Sequence, residues 1–172
     1  MLSGAYSEKQ KVDVPLSAAK HFVQGQCRMA GQEHFYLETN ASLVVPSTED
    51  DEMEVFTSSQ NPNESQHLVA HVLGIDSNKV VARVKRLGGG FGGKETRSAF
   101  LSCALAVAAR KHKVPVRCML SRDEDMAITG MRHPYLGKYK VGFTSDGKLV
   151  SLELDIFNNA GYSVDLSIGI GF

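Results

Sequence analysis

No run of about eighteen apolar residues occurs in the 172-residue chain, and the first thirty residues hold no apolar stretch of signal length. Neither a membrane span nor a secretory leader is expected. Net charge is missing too. Nineteen Lys plus Arg balance nineteen Asp plus Glu, which leaves no field to hold a phosphate backbone, and nucleic acid is not an expected partner. The three cysteines, Cys27, Cys103 and Cys118, are far apart and form no C-x-x-C pair, which argues against a zinc or redox site. They read as reduced core thiols in a cytosolic or peroxisomal protein. Five prolines and no low-complexity tract, with 42% hydrophobic and 22% charged residues, exclude disorder, collagen and coiled coil. What remains is a folded domain large enough to bury a core without staples.

The opening stretch to about Lys20 is polar and broken by Pro15, as a linker is. Residues 21–45 carry aromatic and β-branched residues in short runs that predict two strands, and Met53–Ser58 predicts a third behind the acidic turn Glu49-Asp50-Asp51-Glu52. Asn61-Pro62-Asn63-Glu64 offers an N-cap, a proline at the first helical position and a glutamate three residues after the cap. Leu68, Val69, Val72 and Leu73 then repeat at helical spacing until Gly74. Lys79–Leu87 alternates like a half-buried strand, and Arg97–Ala109, rich in Ala and Leu, predicts a helix covered on most sides. Val114–Leu120 predicts a strand and Arg122–Met126 a polar turn or short helix. The alternating runs on either side of Asp146-Gly147 predict a hairpin. About seven strands with two sizeable helices in mixed order predict an α+β two-layer sandwich of mixed sheet and helices. The run Ser167–Phe172 ends on an apolar residue and suggests a truncated chain.

The most informative segment is Gly88-Gly89-Gly90-Phe91-Gly92-Gly93-Lys94-Glu95, between a predicted strand and a predicted helix. Ordering so many glycines is costly in conformational entropy, so the chain needs main-chain groups there in place of side chains. A loop of this kind can point several N–H groups at one anion or oxo group in front of a helix. Two familiar patterns fit only in part. Gly88, Gly90 and Gly93 satisfy G-x-G-x-x-G, but the first acid after the next strand, Asp123, comes too late to hold a ribose. Gly88, Gly93 and Lys94 satisfy G-x-x-x-x-G-K, but Glu95 stands where magnesium binding needs Ser or Thr, and its carboxylate would repel phosphate. A tight connection with no ligand is the plain alternative. Phe91, an apolar ring among glycines, suggests instead that something covers the loop.

At this loop the chain resembles the molybdenum-cofactor domain of the molybdenum hydroxylase family of xanthine dehydrogenases and aldehyde oxidases. Gln32-Glu33-His34-Phe35-Tyr36-Leu37-Glu38, Ser59-Gln60-Asn61, Gly88 through Glu95, Arg122-Asp123-Glu124-Asp125-Met126 and Gly130-Met131-Arg132-His133-Pro134 resemble successive motifs of the family in its own order. The resemblance implies a linker over 1–30 and, over 31–172, the N-terminal part of the cofactor-binding domain. Gln60 is then similar to the residue whose side-chain amide donates to an oxygen on the molybdenum. The main-chain amide of Phe91 approaches the other oxygen, and Gly90 and Gly92 let the backbone come close. Glu95 is similar to the substrate-binding glutamate of the purine-oxidising members, where aldehyde oxidases usually carry an apolar residue. A carboxyl group there can hydrogen-bond the N–H and C=O edge of a purine.

The resemblance further implies oxidation of hypoxanthine or xanthine, ending in urate, with water as the oxygen source. It implies a molybdenum-molybdopterin cofactor, with [2Fe-2S] clusters and FAD elsewhere in a longer homodimeric chain. The glutamate base of the family and its substrate-binding arginine have no counterpart in these residues, so no catalytic residue is expected here and the isolated chain is not expected to turn over. His34, His133 and the other four histidines read as structural. Asp123-Glu124-Asp125 reads as a capped turn. An aldehyde oxidase-type hydroxylase and a non-catalytic glycine-loop module are the alternatives.

Overall fold

The computed structural model describes residues 19–169. The polar opening and the last apolar residues, 170–172, lie outside the described residues. The chain divides into two units, residues 33–131 and a second unit in which residues up to 32 join residues from 132 onward.

The 33–131 unit is built on a four-stranded sheet in the order β4-β3-β2-β5, formed by β2 (Ala41–Pro46), β3 (Met53–Thr57), β4 (Val80–Arg83) and β5 (Val116–Met119). β3 and β4 run parallel, and the other pairs are antiparallel. Two helices, α1 (Pro62–Leu73) and α2 (Ser98–His112), cover one face. Val44, Met53, Val55 and Val80 of the strands meet Val69, Ala70 and Leu73 of α1 and Leu105, Ala106 and Ala109 of α2 in one buried cluster. This is a two-layer α+β arrangement around a mixed sheet, as the element order predicts.

Local chemistry fixes α1 at both ends. The Asn61 side chain accepts from the Glu64 amide at 3.1 Å, Pro62 fills the first turn, and Gly74 ends the helix in the left-handed region at φ 65°. α2 differs from expectation. It buries Ser98, Ser102, Leu105, Ala106 and Ala109 along one side, but Phe100 and Val107 on the other side are exposed. The uniform Ala and Leu content hid a one-sided helix. β4 is also shorter than the predicted strand over Lys79–Leu87. Its ladder with β3 stops at Phe56 opposite Arg83, close to the end of β3.

The segment Phe35–Asn40 is held by α3 (Arg122–Thr129), which starts at a capping box between Ser121 and Glu124. Asp125 within that helix is buried and is more than the turn residue it was read as. Its carboxylate accepts from the Tyr36 hydroxyl at 2.5 Å, the Asn40 amide at 2.6 Å and the Asn40 side chain at 2.9 Å. Burial alone would push the Asp125 carboxyl up, but these donors outweigh it and hold it below the usual aspartate range. Tyr36 is pushed up to about 12 by burial and by the Asp125 carboxylate, so it stays a donor.

The second unit contains an antiparallel sheet in the order β1-β6-β7, with β1 (His21–Met29), β6 (Tyr135–Phe143) and β7 (Leu149–Asn158). β6 and β7 are the predicted hairpin. β1 lies inside the 1–30 segment expected to be a linker, because β6 gives it a continuous ladder from His21 opposite Phe143 to Met29 opposite Tyr135. Cys27 on β1 is exposed and so is not a core thiol, while Cys103 and Cys118 pack against the 33–131 core.

Two outcomes follow from this packing. Leu105→Ala should cost about 2–5 kcal/mol in urea unfolding, and Phe100→Ala, on the uncovered side of the same helix, less than about 1 kcal/mol. Because the folded Asp125 carboxyl is depressed, its contribution is complete above the unfolded value of about 4 and is lost as pH falls through the folded value. Asp125→Asn should flatten that acid limb in thermal melts as pH falls below about 4.

Candidate functional site

The unit β3–α1–β4 returns the chain to a parallel neighbour, so the segments that leave β3 and β4 emerge at the same end of the sheet. Gln60 leaves β3 just before the N-cap of α1, and the glycine loop leaves β4. Topology brings together residues about thirty positions apart.

The contact is direct. Gln60 Oε1 accepts from the Gly92 amide at 3.0 Å and from the Lys94 amide at 3.2 Å, and the Gln60 amide donates to the Lys94 carbonyl at 2.9 Å. Both groups facing the side chain are N–H donors, so the oxygen must turn toward them. Nε2 is left with no acceptor among the described residues. The amides of Gly90 and Phe91 also have none, while the Gly93 amide closes a tight turn onto the Gly90 carbonyl at 2.8 Å. Gly90 must be glycine, since a Cβ there would lie 2.5 Å from the carboxamide carbon of Gln60. Gly92 stands at φ 88° and Phe91 at φ 54°. The left-handed backbone at Phe91 is a strained conformation for a bulky residue, and its ring is 70% exposed.

Beneath the loop lies a charge that the sequence reading gave no role. The Lys94 side chain is 0% exposed. Its ammonium donates to the Glu38 carbonyl at 2.6 Å, Ser58 Oγ at 2.7 Å and Glu38 Oε2 at 3.2 Å, and it lies 4.5 Å from the centre of the Tyr36 ring. Glu38 Oε2 also accepts from Ser58 Oγ at 2.6 Å and from the Gly88 amide at 2.8 Å. The Glu38 main chain completes the knot by donating to the Gly88 carbonyl at 3.0 Å. Burial pushes the Lys94 ammonium below its ordinary value, and the Glu38 carboxylate only partly opposes this. Burial pushes Glu38 up, but the Ser58 hydroxyl, the Gly88 amide and Lys94 together bring it below the usual glutamate range. Lys94 Nζ and Glu38 Oε2, 3.2 Å apart, make an ion pair beneath the loop.

Glu95 follows Lys94 directly. It is half-buried, and its carboxylate has no hydrogen-bond or ion-pair partner among the described residues. His34 stacks on Tyr36 with ring centres 6.2 Å apart, and a Cβ at Gly93 would lie 2.6 Å from the imidazole. Arg122 donates to the carbonyls of Tyr36 and Leu37 and lies over the Phe35 ring at 4.7 Å. Lys94 appeared in the sequence only as the lysine of a failed phosphate-loop pattern, and Glu38 only as the end of a motif. No spacing rule connects residues 56 positions apart.

The arrangement provides a rigid, outward-facing set of N–H donors with one unpaired carboxylate next to it. Such a set suits oxo groups or a polar heterocycle. The model of the molybdopterin cofactor-binding domain family matches residues 3–171. Over 165 residues the chain is 53% identical to xanthine dehydrogenase of Calliphora vicina, covering 96% of this chain and 12% of that protein. Over 163 residues it is 53% identical to xanthine dehydrogenase/oxidase of Gallus gallus, covering 95% and 12%. The xanthine dehydrogenase of Emericella nidulans is 57% identical over 149 residues, 87% of this chain and 11% of that one. The chain thus spans about one eighth of the length of these relatives. In fold it is similar to quinoline 2-oxidoreductase from Pseudomonas putida 86, with a TM-score of 0.67 at 20% identity over 86% of this chain and 19% of that chain. It is equally similar to aldehyde oxidoreductase from Desulfovibrio gigas, with a TM-score of 0.67 at 21% identity over 84% and 16%. With the family model running over nearly all of its length, the chain belongs to the molybdopterin cofactor-binding domain family.

Proposed function

We propose that this chain forms one wall of the molybdenum and substrate site of a longer molybdenum hydroxylase that oxidises purines. The chain, from β1 onward, is the N-terminal part of its cofactor-binding domain. The longer protein also carries the purine-facing arginine, the glutamate base, [2Fe-2S] clusters and FAD, and it works as a cytosolic homodimer.

The observation that carries the reading is the one-way orientation of Gln60. With Oε1 occupied by two main-chain amides, the side chain can only donate outward, and the Phe91 amide stands nearby without an acceptor. A pair of donors fits the oxygens of an oxo-metal group and does not fit a bare cation. Among the described residues no three His, Cys, Asp or Glu side chains cluster as metal ligands. That is compatible with a metal carried by its own dithiolene ligand. When bound, the molybdenum cofactor supplies two-electron oxidation of an electron-poor carbon, with water as the oxygen source. Gln60 and the Phe91 amide hold and orient the cofactor. Gly90 and Gly92 keep side chains out of its way. Glu95 hydrogen-bonds the polar edge of a purine, and this discriminates against substrates lacking that edge.

Glu95→Val in the longer enzyme tests the substrate assignment. It should lower kcat/KM for hypoxanthine and xanthine by about 100-fold, with little effect on aldehydes and no change in bound molybdenum. Equal losses for purines and aldehydes would make Glu95 a structural residue and leave an aldehyde-oxidising enzyme as the better reading.

A further inference from the structure

An ammonium with no exposure is costly unless every N–H finds an acceptor. Lys94 uses all three of its donors, on the Glu38 carbonyl, Glu38 Oε2 and Ser58 Oγ, and the Tyr36 ring closes its remaining side. No donor is left for a substrate or a cofactor, so Lys94 is not a catalytic residue. The main chain of the same residue makes a second set of contacts. Its amide donates to Gln60 Oε1, and its carbonyl accepts from the Gln60 amide at 2.9 Å, Ser98 Oγ at 2.9 Å and Ser59 Oγ at 3.2 Å.

We propose that Lys94 is a positioning residue: its buried side chain pins the end of the glycine loop so that the Gly92 and Lys94 amides grip Gln60 Oε1 and leave Nε2 as the Gln60 side-chain group that faces outward. The functional weight of this orientation rests on the cofactor reading of Gln60 given above, but the pinning itself does not. The reason a peg is needed lies in the loop. Five glycines in six positions have little intrinsic preference for one path, and the loop is held by the Glu38 contacts to Gly88 at one end, the Gly92 amide on Gln60 Oε1, and the Lys94 contacts at the other end. Releasing the second end should let the loop sample conformations in which the Gln60 amide is free to flip. A flip would present an oxygen where a hydrogen-bond donor is required.

Hydrogen exchange resolved at individual amides of the longer enzyme, with Lys94→Met and Ser58→Ala, tests the pinning. Lys94→Met keeps the apolar stem of the side chain and removes the ammonium, while Ser58→Ala removes one acceptor and serves where the first variant does not accumulate. Protection of the amides of residues 92 and 94 should fall about tenfold or more in Lys94→Met and a few-fold in Ser58→Ala, with protection across α1 and α2 unchanged. Unchanged protection at 92 and 94, or an equal loss across both helices, would overturn the proposal. A purine assay on the same samples separates the two readings. A fall in kcat of about tenfold or more, with KM and bound molybdenum near wild type, supports both. Looser amides with unaltered kcat leave the pinning intact and remove Gln60 from the cofactor site.

Discussion

The ammonium of Lys94 must be satisfied without water, and meeting that demand shapes the surrounding structure. It requires Glu38 and Ser58 to stand together, and these come from the segment before β2 and from the end of β3. It requires the Tyr36 ring as a wall, and Tyr36 is itself tied through its hydroxyl to Asp125 of α3. A network in which every buried charge has partners is rigid, because shifting any member leaves another charge unpaired. The glycine loop above gains order from this network that its own composition cannot provide.

The parallel pairing of β3 with β4 gives that network its functional position. Two antiparallel strands would send Gln60 and the loop to opposite ends of the sheet. The α1 crossover returns the chain in the same direction, so a side-chain amide and a run of main-chain amides face one place. In the proposed cofactor reading, Gln60 and the Phe91 amide are complementary parts of one donor surface, with Gln60 Oε1 held by the Gly92 and Lys94 amides before any ligand arrives. Preorganised donors of this kind bind oxo groups without the cost of ordering them on arrival.

What the sequence revealed was whatever depends on near neighbours. The Asn61 cap, the Gly74 stop and the turn at Asp146-Gly147 are local chemistry, and each appears where its residues predict it. The motif order also pointed to the family that the match over residues 3–171 establishes. Properties set by distant partners were not legible. β4 stops at Arg83 because β3 ends beside it, although Val84 and Lys85 continue the alternation. Phe100 and Val107 face away from the core of their own unit, which composition cannot tell from burial. Asp125 looks like any acid in the first turn of a helix until Tyr36 and Asn40 close on it, and Lys94 looks like a surface lysine until Glu38 and Ser58 surround it.

The central claim is that Gln60 and the Phe91 amide form a ready-made donor pair for a molybdenum cofactor. A crystal structure of the longer enzyme with its cofactor bound tests this most directly. Gln60 Oε1 should remain on the Gly92 and Lys94 amides, with Gln60 Nε2 and the Phe91 nitrogen each within about 3.2 Å of a different oxygen on the metal. A cofactor bound away from the glycine loop, or a Gln60 side chain turned so that Oε1 faces the metal, would contradict the account.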